Sequence, residues 1–238
     1  MKIGGLQKFS LLDYPGELSA IVFTQGCNFR CPYCHNPELV LPQIYHPPLN
    51  TEKVLRFLYK RRRKLSAVVV TGGEPTLQED IIPFLKILKA MRFKVKLDTN
   101  GALPDVLAKV IYAKAVDYIA MDLKAPLPLY RQLTRSEVNP QNIPRSMELI
   151  RLSGVEYEFR TTVAPDILFG DDLYDIRTLL KEGDRYYIQP CRYATTLEDL
   201  QAHELPATNM SDNPEYRQLK DWAKHHRVRI AIRGEAGR

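Results

Sequence analysis

The sequence is poor in cysteine and has no long apolar run, and both shortages limit what the chain can be. No stretch of its 238 residues approaches the ~18 consecutive apolar residues of a membrane-spanning helix, and none near Met1 has the apolar length of a signal peptide. Internal repeats, low-complexity tracts and linkers are also missing. We therefore expect a single cytoplasmic domain over residues 1–238, without membrane contact.

The excess of positive charge is modest and does not by itself select a function. Lysine and arginine number 34 against 28 aspartate and glutamate residues, which gives a net charge of +6. Such a balance fits a nucleic acid, an acidic partner protein or a solvated basic surface. The densest run, Arg61–Lys64, falls at a predicted helix end, where positive charge is favoured. A solvated surface is the simplest interpretation.

Short β-branched runs alternate with longer helical patterns, which is typical of parallel strands joined by crossover helices. Strands are predicted at Ser19–Thr24, Ala67–Thr71, Lys94–Asp98, Tyr118–Asp122, Tyr157–Val163 and Tyr186–Gln189. Helices are predicted at Thr51–Arg62, Glu79–Met91, Pro104–Tyr112, Ile143–Leu152, Asp171–Lys181 and Pro214–His225. This alternation predicts an α/β fold, a partial (β/α)6 TIM-like barrel.

The segments outside the alternation have simpler expectations. Residues 1–18 are predicted to form an N-terminal hairpin with its turn at Asp13–Gly16. The (β/α)6 core then spans residues 19–190, and residues 191–238 form a C-terminal tail in which Arg227–Ile232 could add a short strand. Four prolines predict an irregular loop over Pro37–Asn50.

Polar and small residues gather where the predicted strands end. Because the carboxyl ends of parallel barrel strands meet at one face, these groups should converge on a single site. They are Thr24–Cys27, Thr71–Glu74, Asp98–Gly101, Asp122–Lys124 and Gln189–Cys191.

Three of the four cysteines, Cys27, Cys31 and Cys34, lie within eight residues. A reducing cytosol disfavours structural disulfides, so clustered thiols there indicate metal. A [4Fe–4S] cluster usually takes four cysteines, and three would leave one iron open to another ligand. The alternative is a zinc site completed by His35 or by a distant residue. Zinc ribbons usually pair two separated cysteine hooks, and this chain has one.

The three-cysteine loop resembles that of the radical S-adenosylmethionine superfamily, in which an aromatic residue, here Tyr33, precedes the last cysteine. The resemblance implies that Cys27, Cys31 and Cys34 hold a [4Fe–4S] cluster whose open iron is chelated by S-adenosylmethionine. Reductive cleavage of the sulfonium would then give methionine and a 5′-deoxyadenosyl radical. The cofactor carries the difficult chemistry, and the protein supplies binding and excludes water.

Further motifs resemble this family's S-adenosylmethionine site. Gly72, Gly73 and Glu74 resemble its Gly-Gly-Glu element, which accepts hydrogen bonds from the ammonium group. Lys124 and Arg160 would pair with the carboxylate and ribose region, while Asp98, Thr99 and Asp122 would line a monovalent-cation site. The cofactor-binding residues implied by the resemblance are Tyr33, Gly72, Gly73, Glu74, Asp98, Asn100, Asp122, Lys124 and Arg160.

A finer resemblance, carried by Asp98–Gly101, Asp122–Lys124 and Arg160, is to the activating enzymes of glycyl-radical enzymes. Within them, Gly4–Gly16 and Thr24–Glu38 resemble the activating proteins of anaerobic ribonucleoside-triphosphate reductase, and the motif match covers about residues 4 to 165. The resemblance implies an oxidoreductase that abstracts hydrogen from a glycine of its partner enzyme. A flavodoxin or a ferredoxin would supply the electron.

Two other function classes remain open. One is a radical enzyme acting on a small molecule or a nucleic-acid base, which the basic surface allows. The other is an iron–sulfur electron carrier or zinc-binding interaction module, which would not need the Gly-Gly-Glu element. Cys191 is expected to be a small buried hydrophobe, although it could face the cavity, and His35 is assigned at most an orienting role beside the cysteine loop.

Overall fold

The computed structural model describes residues 1–164, 168, 170–191, 196–197 and 213–233. In these residues, eight strands form one sheet in the order in which they occur along the chain. The first pair is antiparallel and each later pair is parallel. The strands are β1 (Ile3–Ser10), β2 (Ser19–Thr24), β3 (Ala67–Gly72), β4 (Lys94–Thr99), β5 (Tyr118–Asp122), β6 (Glu156–Val163), β7 (Arg185–Pro190) and β8 (Arg229–Ile232).

Helices connect the parallel strands, as crossover connections require. They are α1 (Pro37–Val40), α2 (Thr51–Arg61), α3 (Ile81–Ala90), α4 (Pro104–Tyr112), α5 (Tyr130–Thr134), α6 (Asn142–Leu152), α7 (Gly170–Asp175) and α8 (Pro214–His225). The first and last strands of the sheet do not pair with each other, so the barrel is partial. No helix in the described residues is long and apolar enough to cross a membrane.

The sheet buries both of its faces, and the alternation along β3 shows how. Val68 and Val70 point to the helices and join the main core, whereas Ala67 and Val69 point to the inside of the barrel. There they pack with Tyr14, which reaches in from the turn after β1. Residues 67–70 are fully buried, which explains why this strand is a continuous apolar run.

The predicted fold class is confirmed, with local differences. The sheet gains β8 from the segment after α8, where a short strand was only an option. The expected irregular loop over Pro37–Asn50 contains α1 and a 3-10 turn. The predicted helix Asp171–Lys181 changes from α to 3-10 geometry after Asp175 and ends at Leu179. Half of the C-terminal tail, residues 192–195, 198–212 and 234–238, lies outside the described residues.

The turn after β1 is tied to the interior of the barrel. Ser10 and Asp13 hydrogen-bond through their side chains, and Lys96 Nζ donates to the Asp13 carbonyl oxygen at 2.8 Å. The Tyr14 ring lies 5.7 Å from that of Tyr118. Because Ser10 pairs with Ser19, this turn sits at the amino end of β2, opposite the cysteine loop. These contacts hold the hairpin turn at the amino end of the barrel.

Candidate active site

The carboxyl ends of the strands surround a cavity of about 200 Å³. Each of the first four groups of polar and small residues predicted at strand ends contributes to its lining. The cavity is lined by Cys27, Phe29, Cys31, Tyr33, Cys34, His35, Asn36, Val40, Thr71, Gly72, Gly73, Glu74, Asp98, Thr99, Asn100, Asp122, Lys124 and Thr162.

The cysteine loop is held in shape by its own backbone and by Arg30. The Arg30 guanidinium donates to the carbonyl oxygens of Cys27 at 2.8 Å and Phe29 at 2.7 Å. The Arg30 backbone N–H donates to the Thr134 carbonyl at 2.8 Å, which joins the loop to α5. The loop thus presents its three cysteines from a braced backbone.

Burial raises the pKa of all three cysteine thiols in the cavity wall. The value rises to about 12 for Cys27 and to about 11 for Cys31, and Cys34 shifts in the same direction. A thiolate in such surroundings needs a positive partner, which a metal centre supplies.

Two glycines allow the ends of β2 and β3 to meet below the cavity. Gly73 N–H donates to the Thr24 carbonyl at 2.9 Å, and Glu74 N–H donates to the Gly26 carbonyl at 2.7 Å. A Cβ atom on Gly73 would lie only 2.1 Å from the Gly26 oxygen. Gly72 has a φ of +118°, which a side chain would strain. Both glycines are therefore required by packing alone.

Glu74 is fully buried, and its carboxylate is occupied by the protein. Oε1 accepts from the Thr76 backbone at 3.1 Å, the Thr76 hydroxyl at 2.5 Å and the Thr99 hydroxyl at 2.8 Å. Oε2 accepts from the Asn100 backbone at 2.7 Å. Asn100 in turn donates through Nδ2 to Asn28 at 2.8 Å. Glu74 and Asn100 thus join the ends of β3 and β4 to the cysteine loop.

A chain of alternating charges crosses the inside of the barrel. Arg160 donates to Asp122 at 2.9 Å and to Asp98 at 3.2 Å. Lys124 Nζ lies 3.2 Å from the other Asp122 oxygen, and the fully buried Lys96 lies 2.8 Å from Asp98. Burial alone would raise the pKa of both aspartates. The charges of Arg160 and the lysines outweigh it and lower the pKa, to about 2 for Asp122.

The same network of charged side chains continues to the last strands of the sheet. Glu158 on β6 is fully buried and accepts two hydrogen bonds from Arg233, at 2.9 Å and 2.8 Å. The network then holds four cations, Lys96, Lys124, Arg160 and Arg233, against three carboxylates, Asp98, Asp122 and Glu158. Of these four cations, Lys124 lines the cavity, where it can pair with a carboxylate of a ligand.

A second cavity, of about 640 Å³, adjoins the first and shares His35, Asp122 and Thr162 with it. Arg160 lines this larger cavity and not the smaller one. Cys191 lies behind His35, with its Sγ 3.7 Å from Nε2, and only 8% of it is exposed. Burial raises the pKa of its thiol to about 11, so it remains protonated near neutral pH.

Comparisons with known proteins agree with this geometry. The family model described as the radical SAM superfamily matches residues 21–183. A Methanocaldococcus jannaschii protein assigned as a glycyl-radical enzyme activating enzyme is 32% identical over 97% of this chain and 95% of its own length. This chain belongs to the radical SAM superfamily. It is accordingly an enzyme of the radical SAM type, and the cofactors of the superfamily are a [4Fe–4S] cluster and S-adenosylmethionine.

Other relatives of this radical SAM protein cover less of it. A Thermococcus kodakarensis protein assigned as a GTP 3′,8-cyclase is 32% identical over 48% of this chain and 37% of its own length. The crystal structure of Streptococcus suis SuiB bound to precursor peptide SuiA superposes with a TM-score of 0.67 at 16% identity. That match covers 90% of this chain but only 48% of SuiB, so the chain spans about half of SuiB's length and shares its fold.

The cavity fits the cofactors of the superfamily. It offers three thiols, and among the described residues no three His, Cys, Asp or Glu side chains converge to hold a single ion. Cysteines that each bind a different iron of a cluster do not need to converge on one point. The buried Tyr33 hydroxyl has no hydrogen-bond partner among the described residues, so a ligand in the cavity can provide one.

The structure brings most of the predicted site residues to one cavity and adds others. Arg160 reaches the smaller cavity through Asp98 and Asp122, and these two carboxylates, proposed for a monovalent cation, face lysine and arginine side chains. Sequence reasoning missed Lys96, Glu158 and Arg233. For Lys96 and Glu158 the signal available was a charged residue inside a predicted strand, an unusual choice for strands buried on both faces. Arg233 follows the last strand and gave no such signal.

Proposed function

We propose that this enzyme activates a glycyl-radical enzyme by abstracting hydrogen from one of its glycines. The observation that carries the proposal is the pair of joined cavities. The smaller has the thiols and polar groups for a cluster and S-adenosylmethionine, and the larger leads away from it with room for a substrate segment. The full-length similarity to the M. jannaschii activating enzyme supports the same class of substrate.

Within the smaller cavity, this chain's residues bind and orient S-adenosylmethionine. Cys27, Cys31 and Cys34 hold the cluster, and Lys124 at the cavity wall pairs with the carboxylate of S-adenosylmethionine. The unpartnered Tyr33 hydroxyl offers a further polar contact. Glu74 serves mainly by holding Thr99 and Asn100, and Arg160 by fixing Asp122.

The monovalent-cation site proposed at Asp98, Thr99 and Asp122 depends on how these groups are shared. The Thr99 hydroxyl already donates to Glu74, and both aspartates are paired with cationic side chains. A cation there would bind the oxygen lone pairs that no hydrogen bond or ion pair uses. We expect it to hold the carboxylate of bound S-adenosylmethionine close to Asp122, although both groups are negatively charged.

When bound, the cofactors supply one-electron cleavage of the sulfonium S–C5′ bond, which yields methionine and a 5′-deoxyadenosyl radical. Those cofactors would thereby convert a glycine Cα–H held beside them into a glycyl radical, with 5′-deoxyadenosine as the other product. The electron comes from an external donor, for which we propose a flavodoxin or a ferredoxin. The protein's part is to exclude water and hold the glycine at the shared wall of His35, Asp122 and Thr162.

For the partner we propose an anaerobic ribonucleoside-triphosphate reductase. The support is the likeness of Gly4–Gly16 and Thr24–Glu38 to the activating proteins of that reductase. In the structure the first run forms β1 and the hairpin turn, and the second forms the cysteine loop and α1. The first run therefore borders the larger cavity, and the second borders both cavities.

The test supplies reductant, S-adenosylmethionine and a glycyl-radical protein with deuterium at its glycines, under anaerobic conditions. Deuterium in 5′-deoxyadenosine together with a glycyl doublet in electron paramagnetic resonance is the expected result. The competing class is a small-molecule or nucleobase enzyme, which the partial GTP 3′,8-cyclase match favours. Turnover of a nucleotide with no transfer from any glycyl-radical protein would replace the proposal with that class.

A further inference from the structure

The larger cavity extends from the cofactor cavity to the hairpin turn. At one end it is lined by His35, Asp122 and Thr162, which also line the cofactor cavity at the carboxyl ends of the strands. At the other end it is lined by Leu11, Leu12 and Asp13 of the turn that follows β1. The cavity is therefore a groove that connects the site of the reaction with the hairpin turn.

The far end of the groove is apolar and exposed. The exposed fraction of Leu11 is 63%, and that of Leu12 is 84%. Exposed leucines are common singly, but here two adjacent ones line a cavity that leads to the active site.

The turn that carries these leucines is rigid. The Ser10 hydroxyl accepts from the Leu12 backbone at 3.1 Å, and Lys96 and Tyr14 anchor the next residues inside the barrel. Because the turn is already ordered, a partner that binds these leucines does not lose binding free energy to the ordering of the turn.

The wall between the two ends is polar. Arg160, Gln189 and Arg233 line it together with Pro190. The Arg233 guanidinium is fixed by Glu158 and lies 4.6 Å from the Tyr187 ring centroid. Fixed guanidinium and amide groups can donate to the carbonyl groups of an extended backbone, which must be hydrogen-bonded when it leaves water.

We propose that Leu11 and Leu12 form a distal subsite that binds an apolar side chain of the polypeptide carrying the target glycine. The proposal deepens the proposed function and rests on it. Because the leucines share one cavity with the wall of the active site, a polypeptide that places its glycine at His35, Asp122 and Thr162 can place a neighbouring apolar side chain on them.

The experiment compares Leu12→Asp and Leu11→Ser with Leu152→Asp in the holoenzyme. Leu152 at the end of α6 is 78% exposed and lines neither cavity, so it is the matched control. Iron content and S-adenosylmethionine affinity serve as folding checks for all three proteins. The readout is the dependence of deuterium transfer on the concentration of the deuterated glycyl-radical protein. We expect the half-saturating concentration to rise about tenfold or more for Leu12→Asp, and to be unchanged for Leu152→Asp.

A second arm changes the substrate. Peptides copied from the glycyl-radical loop receive a serine at successive positions on either side of the glycine. A loss of affinity at one of these positions, absent when the enzyme carries Leu12→Asp, supports the distal subsite.

The outcomes separate the two ideas. If wild-type enzyme transfers deuterium and Leu12→Asp has the same half-saturation, the distal subsite is wrong and the proposed function stands. If wild-type enzyme transfers no deuterium from any polypeptide, both fall.

Discussion

Arg160 is the residue that holds most of the buried charge together. It contacts Asp98 and Asp122 directly, and only 11% of its side chain is exposed. Removing one partner of a buried ion pair leaves the other uncompensated, which typically costs ~3–5 kcal/mol. We predict that Arg160→Met lowers the free energy of unfolding of the cluster-free protein by about this much, measured by urea denaturation.

Arg145→Met is the control for that measurement. Arg145 also pairs with an aspartate, Asp105, at 2.6 Å, but both side chains are mostly exposed. Exposed pairs contribute ~0–1 kcal/mol, so this variant should unfold nearly like wild type. Equal losses in the two variants would show that the buried network contributes no more than a surface pair.

Cys191 is the other single residue with a distinct expectation. It contacts His35 beside the cysteine loop but lies on a different strand end, and it lines neither cavity. We predict that Cys191→Ala retains the full iron content after anaerobic reconstitution, whereas Cys27→Ala, Cys31→Ala and Cys34→Ala each lose it. Loss of about half or more of the iron in the Cys191 variant would make it a cluster ligand.

At the scale of elements, the segments that follow β2 and β3 approach each other closely beside the cysteine loop. We predict that Gly73→Ala destabilises the fold by ~1–3 kcal/mol and lowers iron uptake, because its Cβ collides with the Gly26 carbonyl next to Cys27. Gly154→Ala is the control, since a Cβ on Gly154 meets nothing within 4 Å and its φ of +71° adds only backbone strain. The control should lose ~1–2 kcal/mol from that strain and keep normal iron uptake. Similar iron uptake in both variants would argue against a role for this close approach.

Elements with strong local signals could be predicted from sequence. α4 and α8 begin at Pro104 and Pro214 as expected, because proline suits the first helical turn and Asn213 caps α8 through its side chain. α1 and α5 have four and five residues, too short for helical periodicity to appear. The gain of β8 depends on pairing with β7, a tertiary contact that local sequence does not reveal.

The site shows the same division between local and distant information. The cysteine loop and the Gly-Gly-Glu element are contiguous in sequence, so they could be found there. The contacts of Glu74 with Thr99 and of Glu158 with Arg233 join residues 25 and 75 positions apart. Only the folded sheet brings these residues together. The sequence therefore does not reveal which residue pairs with a given buried charge.

On the scale of the whole molecule, the charge network links stability to pH. The pKa of Asp122 in the fold is about 2, because Arg160 and Lys124 outweigh burial. It is ~3.9 in an unfolded chain. A carboxyl with a lowered pKa stabilises the fold above its unfolded pKa, and that contribution is lost as the pH falls through the folded value.

We predict that the free energy of unfolding of the cluster-free protein declines between about pH 4 and pH 2. Urea denaturation at several pH values measures the decline, and Asp122→Asn serves as the comparison because it cannot titrate. The variant should show a shallower decline, and identical slopes would assign the acid sensitivity to other carboxyls.

The strand order also sets a sequence of events during synthesis. Each described strand pairs with the one made just before it, so pairing can advance as the chain leaves the ribosome, with short loop closures at each step. The cysteine loop follows β2, while Asn100, Asp122 and Lys124, which help enclose it, come from β4, β5 and the segments after them. A nascent chain therefore exposes its three thiols to the cytosol until the fifth strand has been added, and during this interval they are most vulnerable to oxygen.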